Sequence, residues 1–317
     1  MAWLLAPLAL LIERVIGYPP ALFRAIGHPV TWMGALIGWL ESRLNQGDNR
    51  RLKGVAMLLL LLGTGLAISL LVVAVTRRVP FGWLVEALLA STLLAQKELG
   101  RAVKAVADTL AVSLDSGRAA VSQIVGRDPY VLDESGVAKA AIESLAESTS
   151  DGVVAPLFWL LLGGLPGIVL YKAVNTADSM VGHRTERHLE FGWASARLDD
   201  VVNWIPARLT ALLVAGASFL TRRNDPEAAW GTALRDAGKH ASPNAGWPEA
   251  AFAGSLGIEL GGPRAYDGEM HELPSFGDGR RELTASDILS ALVLYWTAMN
   301  LLLGVAIVIG IVLWRFA

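Results

Sequence analysis

Two long runs without a charged residue constrain the fold of this chain. Residues 54–75 and 288–314 are uncharged throughout and mostly apolar. A helix over the shorter run would be about 33 Å long, which is enough to cross a bilayer. The whole sequence is 53% hydrophobic and only 18% charged. We therefore predict an all-α fold, a polytopic membrane helical bundle that forms a single domain over residues 1–317, with polar helical loops carrying the site.

The composition limits the binding partners and the kinds of chemistry that we expect for this chain. The net charge is −2, from 27 basic and 29 acidic residues, so we expect no nucleic-acid partner. The absence of cysteine excludes disulfides, thiolate nucleophiles and cysteine zinc sites. Trp83, Trp204 and Trp314 lie at the ends of apolar runs, as is typical of an interfacial aromatic belt. The lipid bilayer is therefore an expected partner.

A glycine- and proline-rich break predicts a re-entrant hairpin. The apolar segment 153–171 contains Gly163-Gly-Leu-Pro166-Gly167 near its middle. Such a cluster breaks helices, so we expect the chain to fold back there and keep both polar flanks on one side of the membrane. The alternative is one straight, kinked span.

Carboxylates precede this segment at helical spacing. Glu143, Glu147 and Asp151 are spaced i, i+4, i+8, which places them along one stripe of a helix. Three like charges repel unless a cation or protons lie between them. Magnesium, which takes one or two carboxylates plus phosphate oxygens, would resolve this. The alternative is a solvated helix face, with Asp151 as the N-cap of the next helix.

A second polar block follows the segment. Asn175 and Asp178 are close enough on a helix to serve one ligand, and Lys172 and Arg184 bracket them with charge suited to phosphate. The alternative is a pair of caps with snorkelling cations. Adjacent aspartates point in different directions on a helix, so of the pair at 199–200 we expect at most one, Asp199, to meet a metal. No GxxxxGK[ST] or GxGxxG motif occurs, which excludes an ordinary Walker or Rossmann site.

Several blocks together resemble the adenosylcobinamide-phosphate synthase family of cobalamin biosynthesis, often called the CobD/CbiB family. They run in family order over nearly the whole chain. The blocks are 27–34, 125–128, 143–152 (Glu-Ser-Leu-Ala-Glu-Ser-Thr-Ser-Asp-Gly), 155–156, 171–182, 196–200, 205–208, 242–250 (Ser-Pro-Asn-Ala-Gly-Trp-Pro-Glu-Ala) and 261–263. Two positions depart from the common family pattern: Tyr18 stands where many members have Asp, and Ser148 where many have Asn. We assign no acid role at Tyr18 and question an amide contact at Ser148.

The resemblance implies an integral membrane enzyme of the bacterial inner membrane whose site faces the cytoplasm. It implies that a propionate side chain of adenosylcobyric acid is joined to aminopropanol or to its O-phosphate, with ATP as cosubstrate and Mg²⁺ as cofactor. A carboxylate is a poor electrophile, and activation as an acyl phosphate removes that difficulty, while a base or desolvation frees the amine. Which amino alcohol is used stays open, as does a homo-oligomer.

On this basis each site residue receives an expected role. The catalytic residues are Glu147, Asp151, Lys172 and Asp178. The substrate- and phosphate-binding residues are Arg127, Asn175, Ser179, His183, Arg184, Arg197, Asn244 and Glu249. The metal ligands are Glu143, Glu147, Asp151, Asp178 and Asp199.

Two other classes of function remain open from the residues. A membrane Mg-dependent transferase acting on prenyl or lipid diphosphates would also place Asn and Asp at a helix end. A non-catalytic permease or sensor would use the same charges as a substrate path. Mg-ATP-dependent amide formation separates the expected enzyme from both.

Overall fold

The computed structural model describes residues 4–126, 128–221, 224–262, 264–266, 269–271 and 273–315. Helices dominate it, which confirms the all-α prediction. The helices are α1 (Leu5–Ile16), α2 (Pro20–Ile26), α3 (Pro29–Leu44), α4 (Arg50–Thr76), α5 (Gly82–Ser91), α6 (Gln96–Leu110), α7 (Leu114–Val121), α8 (Glu134–Thr149), α9 (Ala155–Val181), α10 (Trp193–Leu220), α11 (Pro226–Asp236), α12 (Gly246–Leu256) and α13 (Ala285–Arg315). A π-helical turn, Ser150–Val154, joins α8 to α9, and a 3₁₀ turn, Ala237–Lys239, follows α11.

The strands are short. In one antiparallel pair β1 (Leu260–Gly261) lies against β4 (Ser275–Phe276), with Leu260 opposite Phe276. In the other, β2 (Arg264–Tyr266) lies against β3 (Glu269–His271). Both pairs fall within the long polar region that precedes α13.

Four helical segments of the described chain are long and apolar enough to cross a membrane: Arg50–Thr76, Glu134–Val181, Trp193–Leu220 and Ala285–Arg315. The helices Leu5–Ile16 and Pro20–Leu44, bent by 102° at their junction, could form a fifth crossing as a broken span. The polytopic membrane bundle is therefore confirmed.

The chain folds back on itself inside α9. Gly164 has φ 60° and ψ −151°, a backbone conformation that is essentially restricted to glycine. A Cβ atom on Gly167 would lie 2.2 Å from the carbonyl oxygen of Trp159, whereas residues eight apart in a straight helix are separated by about 12 Å along the axis. The fold-back predicted from the glycine-proline cluster is confirmed; its side of the membrane stays a prediction.

The chain divides into two compact units. The first comprises Met1–Ala95, Ala155–Asn203 and Val305–Ala317, and the second Gln96–Val154 and Trp204–Gly304. Each unit is thus assembled from separated segments of chain, and helices α10 and α13 contribute to both. The single domain predicted over residues 1–317 stays a prediction.

In the first unit, one apolar core fixes the second arm of α9. Ala173, Ala177 and Val181 follow one another at helical spacing and are buried against α3, α4 and Phe191. Gly54 of α4 lies so close to the backbone of Phe191 that an added Cβ would be 1.8 Å from its carbonyl oxygen. Because the apolar stripe of α9 faces this core, the neighbouring polar residues face elsewhere.

In the second unit, α8 packs against α6, α7 and α12, and α11 packs closely against α12. Helices α11 and α12 approach each other closely at Gly254, where an added Cβ would lie 2.3 Å from the carbonyl oxygen of Ala228. On α8, the buried residues include Ala138, Ile142 and Leu145, so this helix is held on more than one side. Its second half, which carries Glu143 and Glu147, is therefore fixed in place.

Candidate functional site

A chain of buried hydrogen bonds links α9 to α10 in the first unit. The Tyr171 hydroxyl donates to Asn203 Oδ1 at 2.9 Å, and Asn203 Nδ2 donates to Asp199 Oδ2 at 2.9 Å. Tyr171 and Asn203 are almost fully buried. Because Asp199 and Asn203 are four residues apart on one helix, their side chains meet on one face. Asp199 is thereby held in a fixed orientation.

The second carboxylate oxygen of Asp199 is buried and accepts no hydrogen bond from the described residues. The amide of Asn175 lies beside this carboxylate, and the charge of Asp178 is near enough to act on it. A buried acceptor without a donor costs about 1–3 kcal/mol. The arrangement indicates that the unbonded oxygen of Asp199 is satisfied by a proton, a cation or a hydrogen-bond donor of a ligand.

Lys172 connects this carboxylate group to α3. Its ammonium donates to Asn175 Oδ1 at 3.0 Å, and its charge acts on the imidazole of His28. His28 caps α3 by accepting from the amide of Val30 at 3.2 Å. The structure thus brings four predicted residues together in the first unit, Lys172, Asn175, Asp178 and Asp199.

The predicted cations lie at a different carboxylate. Arg197 is exposed and pairs with Asp200 at 3.6 Å, and the charge of Arg184 also acts on Asp200. His183, too, is exposed in the segment between α9 and α10. Ser179 donates to the carbonyl of Asn175 at 2.8 Å, within its own helix. Asp200, set aside on sequence, therefore pairs with one predicted phosphate-binding residue, Arg197, and lies within electrostatic reach of another, Arg184.

The three carboxylates of the second unit occupy unlike environments. Glu143 is buried and its Oε1 accepts the backbone amide of Gly261 at 2.7 Å. Glu147 is exposed one turn later, and Asp151 is half-buried in the π-helical turn. Turns of π-helix are frequent at functional sites. Arg127, predicted to bind substrate, lies outside the described residues.

The polar residues at and just before the start of α12 form a second group in this unit. Asn244 and Glu249 are buried, and Glu249 Oε1 lies 3.7 Å from His240 Nε2, an ion pair when the imidazole is protonated. The Nδ1 atom of His240 accepts the backbone amide of Ser242 at 2.9 Å. Asn244 Oδ1 accepts from Arg208 Nη1 at 3.3 Å. Both predicted binding residues are therefore held by defined partners.

Sequence reasoning missed Tyr171, Asn203 and Arg208 as members of these groups. The i, i+4 spacing of Asp199 and Asn203 was the available signal for one of them. Tyr171 and Arg208 reach partners 32 and 36 residues away along the chain. Contacts of that kind depend on tertiary packing, which spacing alone does not determine.

Only some of the carboxylates predicted as metal ligands are arranged in a way that suits magnesium. Within the described portion of the chain, no three His, Asp or Glu side chains are arranged to hold a metal ion. Magnesium needs fewer protein ligands, because it is commonly bound through one or two carboxylates plus water and substrate phosphates. Asp199, with its buried unbonded oxygen, and the nearby Asp178 meet that requirement. The metal-ligand roles of Glu143, Glu147 and Asp151 stay predictions.

Comparison with known proteins identifies relatives over nearly the full length. A model of the family described as CobD/Cbib protein matches residues 6–295. A protein of Rhodobacter capsulatus named "Cobalamin biosynthesis protein CobD" is 50% identical over 306 residues, covering 95% of this chain and 94% of the relative. A protein of the same name from Brucella anthropi is 47% identical over 316 residues, covering 96% of each. No solved structure matches.

Proposed function

The chain belongs to the CobD/Cbib family and acts in cobalamin biosynthesis, and from this premise we propose that it catalyses ATP-dependent amide formation. The acid is a propionate side chain of adenosylcobyric acid, and the amine is aminopropanol or its O-phosphate. The observation that supports this proposal most is the family match, which extends over residues 6–295 and includes the blocks that carry both polar groups.

The chemistry balances in two steps. A propionate oxygen attacks the γ-phosphorus of ATP, so that an acyl phosphate forms and ADP leaves. The amine nitrogen then attacks the acyl carbon, phosphate leaves with its bonding electrons, and the nitrogen gives up a proton. The first step needs positive charge at the phosphoryl group, and the second needs a proton acceptor.

The residues of the first unit offer both a positive charge for the phosphoryl group and a proton acceptor for the amine. Lys172, oriented by Asn175, supplies a fixed cation beside the carboxylates. Asp178 is half-buried on the same helix, and we assign it as the proton acceptor for the amine. Asp199 would hold Mg²⁺ together with Asp178, and when bound the metal neutralises charge on the phosphate groups. Glu147 and Asp151 remain proposed catalytic carboxylates of the second unit.

The site should face the cytoplasm, where ATP is available. Thr185 is exposed in the segment after α9, and the natural chain contains no cysteine. A single cysteine at position 185 can therefore be labelled without background. Labelling by an impermeant maleimide only after the inner membrane is opened supports a cytoplasmic site, and labelling in intact spheroplasts argues against it.

The reaction itself is tested with full-length protein in nanodiscs. We expect cobinamide product and ADP in equal amounts, dependent on ATP, Mg²⁺ and amine together. In cells, deletion should cause cobyric acid to accumulate, and supplied cobinamide should restore growth. Product formation without ATP consumption, or a deletion strain that cobinamide does not rescue, would sink the proposal.

A further inference from the structure

Arg208 lies on an exposed apolar face of a membrane helix. On α10, Trp204, Ile205, Leu212 and Phe219 are each 48–80% exposed, and their spacing of 3, 4 or 7 residues places them with Arg208 along one side of the helix. Such a face on a helix long and apolar enough to cross a membrane is suited to contact with lipid. A charged residue on a membrane helix is costly and indicates a specific role.

Two indole rings hold the guanidinium in place. Its central carbon lies 4.2 Å from the ring centre of Trp204 and 4.7 Å from that of Trp247, both within the range of cation–π attraction. The Nη1 atom donates to the carbonyl of Trp204 at 2.7 Å and to Asn244 Oδ1 at 3.3 Å. The bond to Trp204 shows that the side chain reaches back one turn along the helix, as an arginine does when it snorkels toward a membrane interface.

The charge of Arg208 has no counter-ion within the described part of the protein. No carboxylate of the described residues lies within ion-pair distance of this half-buried guanidinium. The group has five N–H donors, and only those of Nη1 find acceptors among the described residues. The donors of Nε and Nη2 therefore stay available in the fork geometry that matches two oxygens of a phosphate.

We propose that Arg208 binds the headgroup phosphate of a membrane phospholipid whose acyl chains lie along the exposed face of α10. The phosphodiester supplies the missing negative charge and accepts from the guanidinium fork. Trp204 and Trp247 flank the headgroup as interfacial aromatic residues do, and Ile205, Leu212 and Phe219 provide the apolar surface for the chains.

Native mass spectrometry of the delipidated full-length protein, titrated with phosphatidylglycerol, tests this site. We expect one lipid to bind per protein with an affinity that falls at least about 10-fold in Arg208→Gln. Arg208→Lys should also bind more weakly, because an ammonium cannot make the bidentate contact. The matched control is Arg101→Gln: Arg101 is exposed on α6 but already paired with Glu98 at 2.7 Å, so its removal should leave lipid binding unchanged.

Thermal unfolding of each variant in detergent accompanies the titration. Arg208→Lys keeps the charge and the stem, so it serves as the decisive variant if Arg208→Gln does not fold. Lipid binding by Arg208→Lys with wild-type affinity would overturn the proposal. Displacement of the lipid from the wild-type protein by millimolar inorganic phosphate or aminopropanol phosphate would also overturn it, because the occupant would then be a soluble phosphate.

Discussion

The backbone amide of Gly261 donates to Glu143 Oε1 at 2.7 Å, joining residues 118 positions apart. Glu143 is only 7% exposed and Gly261 is half-buried, so this bond is partly shielded from water. Gly261 has φ 72°, and an added Cβ would lie 2.5 Å from the carbonyl oxygen of Pro274. Glu143 thus holds β1 against α8, and one of its two oxygens is already engaged.

Replacement of Glu143 separates this positioning role from a charge role. Glu143→Ala should lower the free energy of unfolding by about 1 kcal/mol, because the half-buried amide of Gly261 loses its acceptor. Glu143→Gln keeps an oxygen in place and should lower the free energy of unfolding by a smaller amount. Denaturation in detergent measures both. Equal stability of the alanine and glutamine variants would show that the bond contributes nothing.

Much of the fold follows from local patterns. The uncharged runs at 54–75 and 288–314 predicted helices that the structure extends to Arg50–Thr76 and Ala285–Arg315. Most residues of these extensions are polar or charged and lie at helix ends, which hydropathy does not capture. The fold-back at Gly164 was predictable because glycine and proline act on the local backbone. The π-helical turn Ser150–Val154 had no such local signature.

The candidate site was predictable to a lesser extent. Spacing identified Asn175 and Asp178, and the rule on adjacent aspartates predicted that at most one of Asp199 and Asp200 meets a metal. Spacing could have paired Arg197 with Asp200, which lie three residues apart on α10. It could not place Arg184 near Asp200, because that depends on the path of the chain between α9 and α10. It also could not show that Tyr171 orients Asn203, since this bond joins two different helices.

The acidic residues at the end of α8 should be needed for turnover. Glu147→Gln and Asp151→Asn remove a charge while keeping the shape, and each should lower kcat/KM at least about 100-fold, equivalent to about 2.7 kcal/mol of barrier. The amide-forming assay at limiting Mg²⁺ measures the effect, with membrane insertion verified by yield. Near-normal turnover of both variants would identify these residues as a solvated helix face.

Asp199 and Asp200 form a matched pair for a charge test. Asp199→Asn should lower turnover at least about 100-fold and raise the Mg²⁺ concentration needed for half-maximal activity, because the buried oxygen no longer carries charge. Asp200 pairs with the exposed Arg197, so Asp200→Asn should have a much smaller effect on the Mg²⁺ requirement. A reversed order would place the metal at Asp200 instead.

Asp236 should make the stability of the folded protein depend on pH in the acidic range. Its carboxylate, 1% exposed, accepts from Arg235 at 2.7 Å, from Lys239 at 2.7 Å and from the amide of Gly277 at 2.9 Å. The hydrogen bonds from Arg235 above all hold the pKa of Asp236 well below its usual range. A lowered folded pKa stabilises the protein above the unfolded value of about 3.9, and that stability is lost as pH falls toward the folded pKa.

The measurement is the unfolding midpoint in detergent between pH 7 and pH 2. Asp236→Asn should be less stable than wild type at pH 7, and the difference should shrink in acid as the wild-type carboxyl becomes protonated. The control is Asp278→Asn: Asp278 also contacts Arg235 but is 79% exposed, and exposed pairs contribute little. A constant difference across the pH range would show that ionisation of Asp236 is not the source.

The fold-back in α9 should depend on a single glycine. Gly164→Ala forces a side chain into φ 60° and ψ −151°, which should cost about 1–3 kcal/mol of stability. Gly163 is its neighbour in sequence, but an added Cβ there meets nothing within 4 Å, so Gly163→Ala should be neutral or slightly stabilising. Thermal unfolding of both variants in detergent measures the difference. Since a straight helix would accept alanine at either position, equal behaviour of the two variants would contradict the reversal at Gly164.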